Sequence, residues 1–331
     1  MPSFYRRTLL ATITALFAVA ACQQTREGHG PITAESDVFI TANHSFSLDS
    51  DQKWREKLSM LKAVKIERGC GRMQNRIVTF DDGSKACARY RANSHLMQGE
   101  IYSHVIGRLL RIGNLPPLAT TLPDIRNDQW SRVEGSILEV NWQSNKLLIL
   151  TKYITDTKEV VLPQKLKSMQ PGSVSPEDIT PQNAENLAQW SDMIIFDYIV
   201  GNMDRVVNSL HNQQWNSNIL DMSVHNLAQK DGSLIFFDNE DGLFHGYRIL
   251  DRYSHHHEQS LNAICVFRQS TIDSITALLQ SNNIIDIINE EVMKIDSRIL
   301  KYLPRISTKT TKVLLERLAN VLQHVRKCSH L

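Results

Sequence analysis

Residues 189–248 hold the pattern that most restricts how this chain can fold. The run opens with Gln189-Trp190-Ser191-Asp192-Met193-Ile194-Ile195-Phe196-Asp197-Tyr198-Ile199-Val200, which suits a buried helix. Gly201 follows, the residue type that often closes a helix in a left-handed conformation. Asn202-Met203-Asp204-Arg205-Val206-Val207-Asn208 then reads as a loop. Further on, Lys230-Asp231-Gly232 is a turn signal, and Ser233-Leu234-Ile235-Phe236-Phe237 is an apolar run of strand length. That run ends at Asp238-Asn239-Glu240-Asp241-Gly242. A buried helix therefore delivers one acid and an Asn on a loop, and a buried strand delivers a second acid at its end.

Phosphoryl transfer to an alcohol uses two carboxylates placed in this way. One accepts the hydroxyl proton, and the other holds the divalent ion that bridges the nucleotide phosphates. Asp204 is the candidate for the first role and Asp238 for the second. Asn208 stands four residues after Asp204, whereas the usual protein-kinase loop has its Asn five on. Acids beside Gly also close ordinary turns, so the spacing alone leaves that plainer reading open.

Three phrases carry a resemblance. They are Phe196-Asp197-Tyr198-Ile199-Val200-Gly201-Asn202-Met203-Asp204-Arg205, Asp238-Asn239-Glu240-Asp241-Gly242-Leu243-Phe244-His245-Gly246-Tyr247-Arg248 and Cys265-Val266-Phe267-Arg268-Gln269-Ser270-Thr271. They closely resemble the four-jointed box family, secretory-pathway protein kinases related to the kinases that phosphorylate secreted proteins. The resemblance runs in one order from about Cys70 to Cys328. It implies an atypical two-lobed protein-kinase-like fold of the α+β class, with a small β-rich lobe and a mostly helical large lobe. It also implies Ser/Thr phosphorylation of extracellular cadherin-like domains, with ATP and Mn²⁺ or Mg²⁺ as cofactors. In that reading Asp204 takes the hydroxyl proton and Asp238 holds the metal, assisted by Glu100. Asn208 supports a second metal or the loop, and Asn239 and Glu240 complete the family's Asp-Asn-Glu motif.

The N-terminus reads as an export signal. Arg6-Arg7 precede an apolar run from Leu9 to Ala21 that is short for a membrane span. Small residues at 18–21 suit a signal peptidase, and Cys22 directly after them also fits a bacterial lipoprotein anchor. Export to the Golgi lumen or extracellular space and a membrane lipoprotein both stay open; any membrane attachment is expected through the N-terminus only. Residues 1–22 are thus signal or anchor, 23–50 a linker, and 51–331 the kinase-like domain. Its small lobe covers about 51–155 and its large lobe about 156–331. One glycosylation sequon, Asn43-His44-Ser45, falls in the linker.

Net charge is +2, and no nucleic-acid motif is present, so no polyanion partner is implied. The basic residues after Leu300, including Lys301, Lys312 and Arg317, read as a solvated helix face. With Cys22 in the signal, four of the five cysteines remain. An even count in an exported chain suggests two disulfides, and four cysteines allow three connectivities. The expected pairs are Cys70–Cys87, stapling a hairpin, and Cys265–Cys328, tying the C-terminal helix to the large lobe.

Along the chain, Trp54, Leu58, Leu61 and Val64 share a helical face, so a helix is expected over 54–64. Residues 76–80 and 85–90 read as strands about the Asp81-Asp82-Gly83 turn. Over 98–110, Ile101, Val105 and Leu109 recur at helical spacing, with Glu100 expected in the first turn. The resemblance gives Glu100 a place at the nucleotide–metal site. It also puts Arg89 where related kinases carry a phosphate-binding Lys, with Lys85 as a nearby substitute. Arg for Lys is not a conservative exchange at such a site.

Residues 147–154 read as the last small-lobe strand entering a hinge, and Tyr153 is expected against the adenine. Residues 157–180 read as loop. Trp215 reads as an aromatic packed under a loop. His255-His256-His257 reads as a solvated loop, since consecutive histidines cannot all face one ion in good geometry. Helices are expected over 261–279, 284–293 and 308–325. Three rivals to the kinase reading remain: a nucleotide-binding pseudokinase, a non-enzymatic ligand of cadherin-like repeats, and a small-molecule or sugar kinase.

Overall fold

The computed structural model describes residues 39–40 and 46–329, apart from Arg72 and Asn282. The expected signal or anchor at 1–22, Cys22 and the sequon at Asn43 lie outside the described residues. The linker expected over 23–50 already contributes folded elements. A short strand β1, Phe39–Ile40, pairs in parallel with Phe267 and Arg268. Helix α1, Leu48–Met60, begins behind a Ser47 cap whose side chain accepts the Ser50 N–H at 3.3 Å.

Helix α1 lies earlier than expected. Val64 belongs instead to strand β2, Ala63–Arg68, because the chain turns extended after Leu61. Strands β3, Arg76–Phe80, and β4, Lys85–Arg89, match the sequence reading closely. Helix α2, Ser94–Leu109, comes next, then β5, Leu118–Thr121, helix α3, Glu134–Glu139, and β6, Leu148–Lys152. The sheet order is β2-β3-β4-β6-β5, antiparallel throughout. Alternation sends Val78, Phe80, Ala86, Ala88, Leu148 and Leu150 into one core with Trp54 and Leu58 of α1. The small Ala86 and Ala88 suit a core that also holds Trp130 and Trp142. Trp54 donates its indole N–H to the Leu150 carbonyl at 3.1 Å, so its buried polar atom is satisfied. Each large apolar side chain buried here contributes about 1.5–3 kcal/mol.

The large lobe opens with β7, Lys158–Val161, and the short helix α4, Gln164–Lys167, where loop alone was expected. The β7 signal is weak in sequence because the strand is four residues long, lies at the edge of a small sheet and buries only Val160. Helix α5, Ala184–Val200, is buried continuously from Ala188 to Val200 and closes at Gly201, which has φ 71°. Helix α6, Val206–Asn212, follows the Asp204 loop, and β8, Ser223–Lys230, forms a hairpin with β9, Ser233–Phe236.

Next come helix α7, Phe244–Arg248, and helix α8, Leu250–Asn262. The helix expected over 261–279 is broken there. Strand β10, Phe267–Arg268, receives β1, and only then does α9, Gln269–Gln280, begin. The three histidines at 255–257 lie on α8, not on a loop, and His257 is buried. Helices α10, Ile284–Ile295, α11, Ile299–Tyr302, and α12, Thr308–Cys328, complete the chain. Helix α10 packs on α2 and β5 of the small lobe.

Cys265 and Cys328 form the expected disulfide. Cys70 and Cys87 do not: they are unbonded thiols, with a hydrogen bond between them and burial together holding the Cys70 thiol well above its usual range. Arg317 is an exception to the solvated basic face. It is buried, stacks on the Tyr198 ring and donates to the Tyr198 carbonyl. Trp215 is 69% exposed, with the His211 ring edge-on to it, so it is not tucked under a loop.

Candidate active site

Elements of the large lobe and of the small lobe meet at a cavity of about 660 Å³. Its lining includes Asp204 and Asn208 from the loop and helix after α5, and Asp238 and Asn239 from the end of β9. Arg89 of β4 and Glu100 of α2 enter from the small lobe, and Tyr153 lies at the end of β6. Thus Asp204, Asn208, Asp238, Glu100, Arg89 and Tyr153 are brought together. Lys85 is not. It is exposed at the start of β4, outside the cavity lining, and its charge helps to lower the pKa of Glu67 on β2, two strands away.

Glu100 sits in the second turn of α2, not the first, because the helix starts six residues earlier at Ser94 behind an Asn93 cap. That places it inside the protein. One oxygen of Glu100 accepts from Arg89 Nη1 at 2.6 Å and from the Asn239 backbone N–H at 2.7 Å. The same Arg89 nitrogen donates to Asp238 at 2.7 Å. Arg91, on the far side, brings its Nε to 2.9 Å from Glu240. Two guanidinium groups therefore face three carboxylates with almost no water. Burial, with Asp238 and Glu240 adding to it, pushes the Glu100 carboxyl above its usual range against the pull of Arg89. Burial works against the charge on Arg89, but the three acids hold its pKa above the ordinary value. An additional cation would relieve this excess of acid.

Close approach makes the arrangement possible. A Cβ on Gly99 would come within 2.0 Å of the Glu240 carbonyl, so glycine lets α2 touch the Asp-Asn-Glu segment directly. Asp238 has φ 52°, a left-handed conformation that costs a non-glycine residue about 1–3 kcal/mol. Its bond to Arg89 and the capture of the Asn239 N–H by Glu100 hold it there.

The Asp204 loop is built with equal care. The Asn202 side chain accepts the Asp204 N–H at 3.1 Å, and the Asn208 N–H donates to the Met203 carbonyl at 2.8 Å. Asn208 also accepts from Asn212 at 3.0 Å. Arg205, fully buried, donates to Asp197 of α5, to the Phe237 carbonyl at 2.9 Å and to the Asn239 side chain at 2.5 Å. Sequence reasoning singled out none of Arg205, Asp197 or Arg91. The only signal was the position of Arg205 directly after Asp204, since a buried Arg and a surface Arg look alike in sequence.

The donor set is oxygen-rich: carboxylates of Asp238, Glu100 and Asp204, with the Asn208 amide on the same wall. Hard cations such as Mg²⁺ and Mn²⁺ take such oxygens. Among the described residues, Cys265, His324 and Cys328 also converge, but both sulfurs are committed to the disulfide and offer no thiolate.

A β-rich lobe over a helical lobe, with acids of a loop and a strand end meeting a small-lobe helix acid, defines an atypical protein-kinase-like fold. Solved structures agree: a Golgi casein kinase aligns over 86% of this chain and 78% of its own with TM-score 0.59 at 14% identity. A hydra Fam20 structure with sugar aligns over 88% and 92% with TM-score 0.56, also at 14% identity. Within that class the chain belongs to the four-jointed box family: residues 49–331 match the four-jointed box protein middle domain. It is 34% identical to the Drosophila melanogaster protein called "Extracellular serine/threonine protein kinase four-jointed", covering 81% of this chain and 55% of that one. It is 34% identical to Homo sapiens Four-jointed box protein 1, covering 70% and 56% respectively. The chain thus spans little more than half the length of these two relatives. No helix among the described residues is long and apolar enough to cross a membrane.

Proposed function

We propose that this chain is an exported Ser/Thr protein kinase that transfers the γ-phosphate of ATP to hydroxyls of extracellular cadherin-like domains. The observation that carries the reading is the convergence of Asp204, Asn208, Asp238, Glu100 and Arg89 on one cavity between the lobes. Its support from likeness is the kinase name of the fly relative and a Golgi casein kinase structure that holds Mn and ADP.

In this reading Asp204 accepts the proton of the attacking hydroxyl, and the Asn202 and Met203 contacts keep its loop in place. Mn²⁺ or Mg²⁺, when bound, neutralises charge on the phosphates, with Asp238, Glu100 and Asn208 as the residues that would hold it. Arg89 steadies the Glu100 and Asp238 carboxylates and presents its charge toward the phosphates. Tyr153, at the end of β6, is the residue that would meet the adenine. The turn at Cys70 and Gly71 borders the same cavity.

The test is phosphate transfer from labelled ATP, with Mn²⁺ or Mg²⁺, to a panel of cadherin domains and glycans. The kinase reading expects label on Ser or Thr of protein, reduced at least about 1,000-fold in Asp204→Asn and Asp238→Ala. No transfer above the Asp238→Ala control overturns it, and transfer to glycan alone replaces it with a sugar kinase. A nucleotide-binding pseudokinase would show a melting shift with ATP and no transfer. A purely non-enzymatic ligand would keep its cellular activity in Asp204→Asn.

A further inference from the structure

A second cavity, of about 470 Å³, lies between α1, β5 and the turn after α10. It shares no lining residue with the first. Arg55, Lys294 and Arg298 face it against a single acid, Asp296.

The acid is fully engaged. One Asp296 oxygen accepts from the Arg298 backbone N–H and Nε, both at 2.9 Å. The other accepts from Arg298 Nη2 at 2.7 Å and the Thr120 hydroxyl at 3.0 Å. Arg298 thus spends one edge of its guanidinium, and Nη1 remains outside that fork.

Arg55 differs from every other cation at the cavity. It is half-buried, and its guanidinium makes no hydrogen bond or ion pair among the described residues. Burial lowers its pKa, with Asp51 offsetting in part, Arg108 adding to the fall, and Glu291 and Glu56 offsetting weakly. Glu56 accepts from Gln52, and the other two acids are committed to other cations. Asp51 accepts from Arg108 at 2.7 and 3.0 Å and sits 3.0 Å from His104, while Glu291 pairs with Lys294 at 2.5 Å. A guanidinium withdrawn from water with no partner is costly, and an anion removes the cost.

We propose that this cavity binds a small oxyanion, a phosphate or sulfate group, with Arg55 as its principal ligand and Arg298 and Lys294 supplying the surrounding field. The planar fork of Arg55 suits two oxygens of such a group at once. The cavity has room beyond a bare ion, so the group is either free in solution or carried as an ester on a small molecule. Because α10 also packs on α2, the helix that bears Glu100, the bound anion braces the joint behind the first cavity. None of this rests on the kinase reading.

The experiment uses the whole purified chain, titrated with sodium phosphate, sodium sulfate and glucose 6-phosphate. Sodium chloride at matched ionic strength is the reference, and calorimetry and thermal melting are the readouts. Saturable binding with a melting rise is expected for the wild type. Arg55→Gln is expected to weaken it at least tenfold. So is Ser297→Asp, which places an acid at the exposed rim and keeps the proposal testable should the Arg55 variant fold poorly. Lys85→Gln, remote from the cavity, leaves binding unchanged. Tighter binding of glucose 6-phosphate than of orthophosphate identifies an ester as the occupant, and the reverse identifies the free ion. Phosphate acting no differently from chloride, or Arg55→Gln binding as the wild type does, overturns the proposal.

Discussion

The Arg205 guanidinium donates to the Phe237 carbonyl at 2.9 Å, and so ties the loop bearing Asp204 to the strand end bearing Asp238. The same nitrogen also reaches the Asn239 side chain, and the other two reach Asp197 on α5 and the Asn226 carbonyl at 3.3 Å. One side chain therefore sets the register of both candidate catalytic acids against the central helix. Removing it leaves Asp197 as a buried charge without its counter-ion. Arg205→Ala is expected to cost about 3–5 kcal/mol, read by chemical denaturation. Arg205→Lys keeps the charge but loses the fork, and should recover less than half of that stability.

Gly99 is the contact point of α2 with the Asp-Asn-Glu segment. Alanine there would put a Cβ 2.0 Å from the Glu240 carbonyl, which is backbone and cannot swing aside. Gly99→Ala is expected to lower stability by about 1–3 kcal/mol. By shifting Glu100 it should also weaken nucleotide binding at least about tenfold, roughly 1.4 kcal/mol, as measured by calorimetry with ATP and Mn²⁺.

Asp51 gives the protein an acid-sensitive joint between α1 and α2. Burial alone raises its pKa, but hydrogen bonds and charge from His104, then from Arg108, outweigh burial and bring it down from 3.8 to about 2. A carboxylate depressed in the folded state gives stability that is full above its unfolded value and is lost as pH falls through the folded one. The window is therefore pH 4 down to 2, and the amount is about 2 kcal/mol. Denaturation curves across that range should show the difference between wild type and Asp51→Asn shrinking as pH falls. A constant gap would contradict the assignment.

The two cysteine pairs should behave differently. Peptide mapping after alkylation without reductant is expected to find Cys70 and Cys87 labelled and Cys265 and Cys328 protected. The Cys265–Cys328 bond spans 63 residues, for which the chain-entropy estimate is about 4 kcal/mol. Cys265→Ser with Cys328→Ser should lose about that much, whereas Cys70→Ser should change stability by under about 1 kcal/mol.

Much of the site was legible before any coordinates. The run up to Val200 is too apolar for anything but a buried helix, and the Asp238 strand is equally plain. Strands β3 and β4 announced themselves by alternation about the Asp81-Asp82-Gly83 turn. Other elements misled for identifiable reasons. Val64 fits a helical face and a strand equally well, and only the sheet's demand for an edge strand decides it. In the run at 261–279 buried apolar residues continue across the break, from Ile264 to Phe267 and again at Ile272 and Ile275, so the break at β10 leaves no clear trace in periodicity. Histidines at 255–257 are polar in composition, yet α8 turns the third of them into the core.

Sequence by itself determined the order of the parts: a buried helix, an acid on a loop, a buried strand, an acid at its end, and an acid-bearing helix far upstream. Those features depend on the hydrophobicity and turn chemistry of near neighbours. Only the tertiary structure decided that Arg89, and not Lys85, reaches the acids, that Cys70 stays a thiol, and that Arg205 locks the two acid-bearing segments together. Each of these is a matter of a few ångströms between residues up to 149 positions apart, as with Arg89 and Asp238. The cost of burying charge is paid or relieved by distant partners, which local sequence does not reveal.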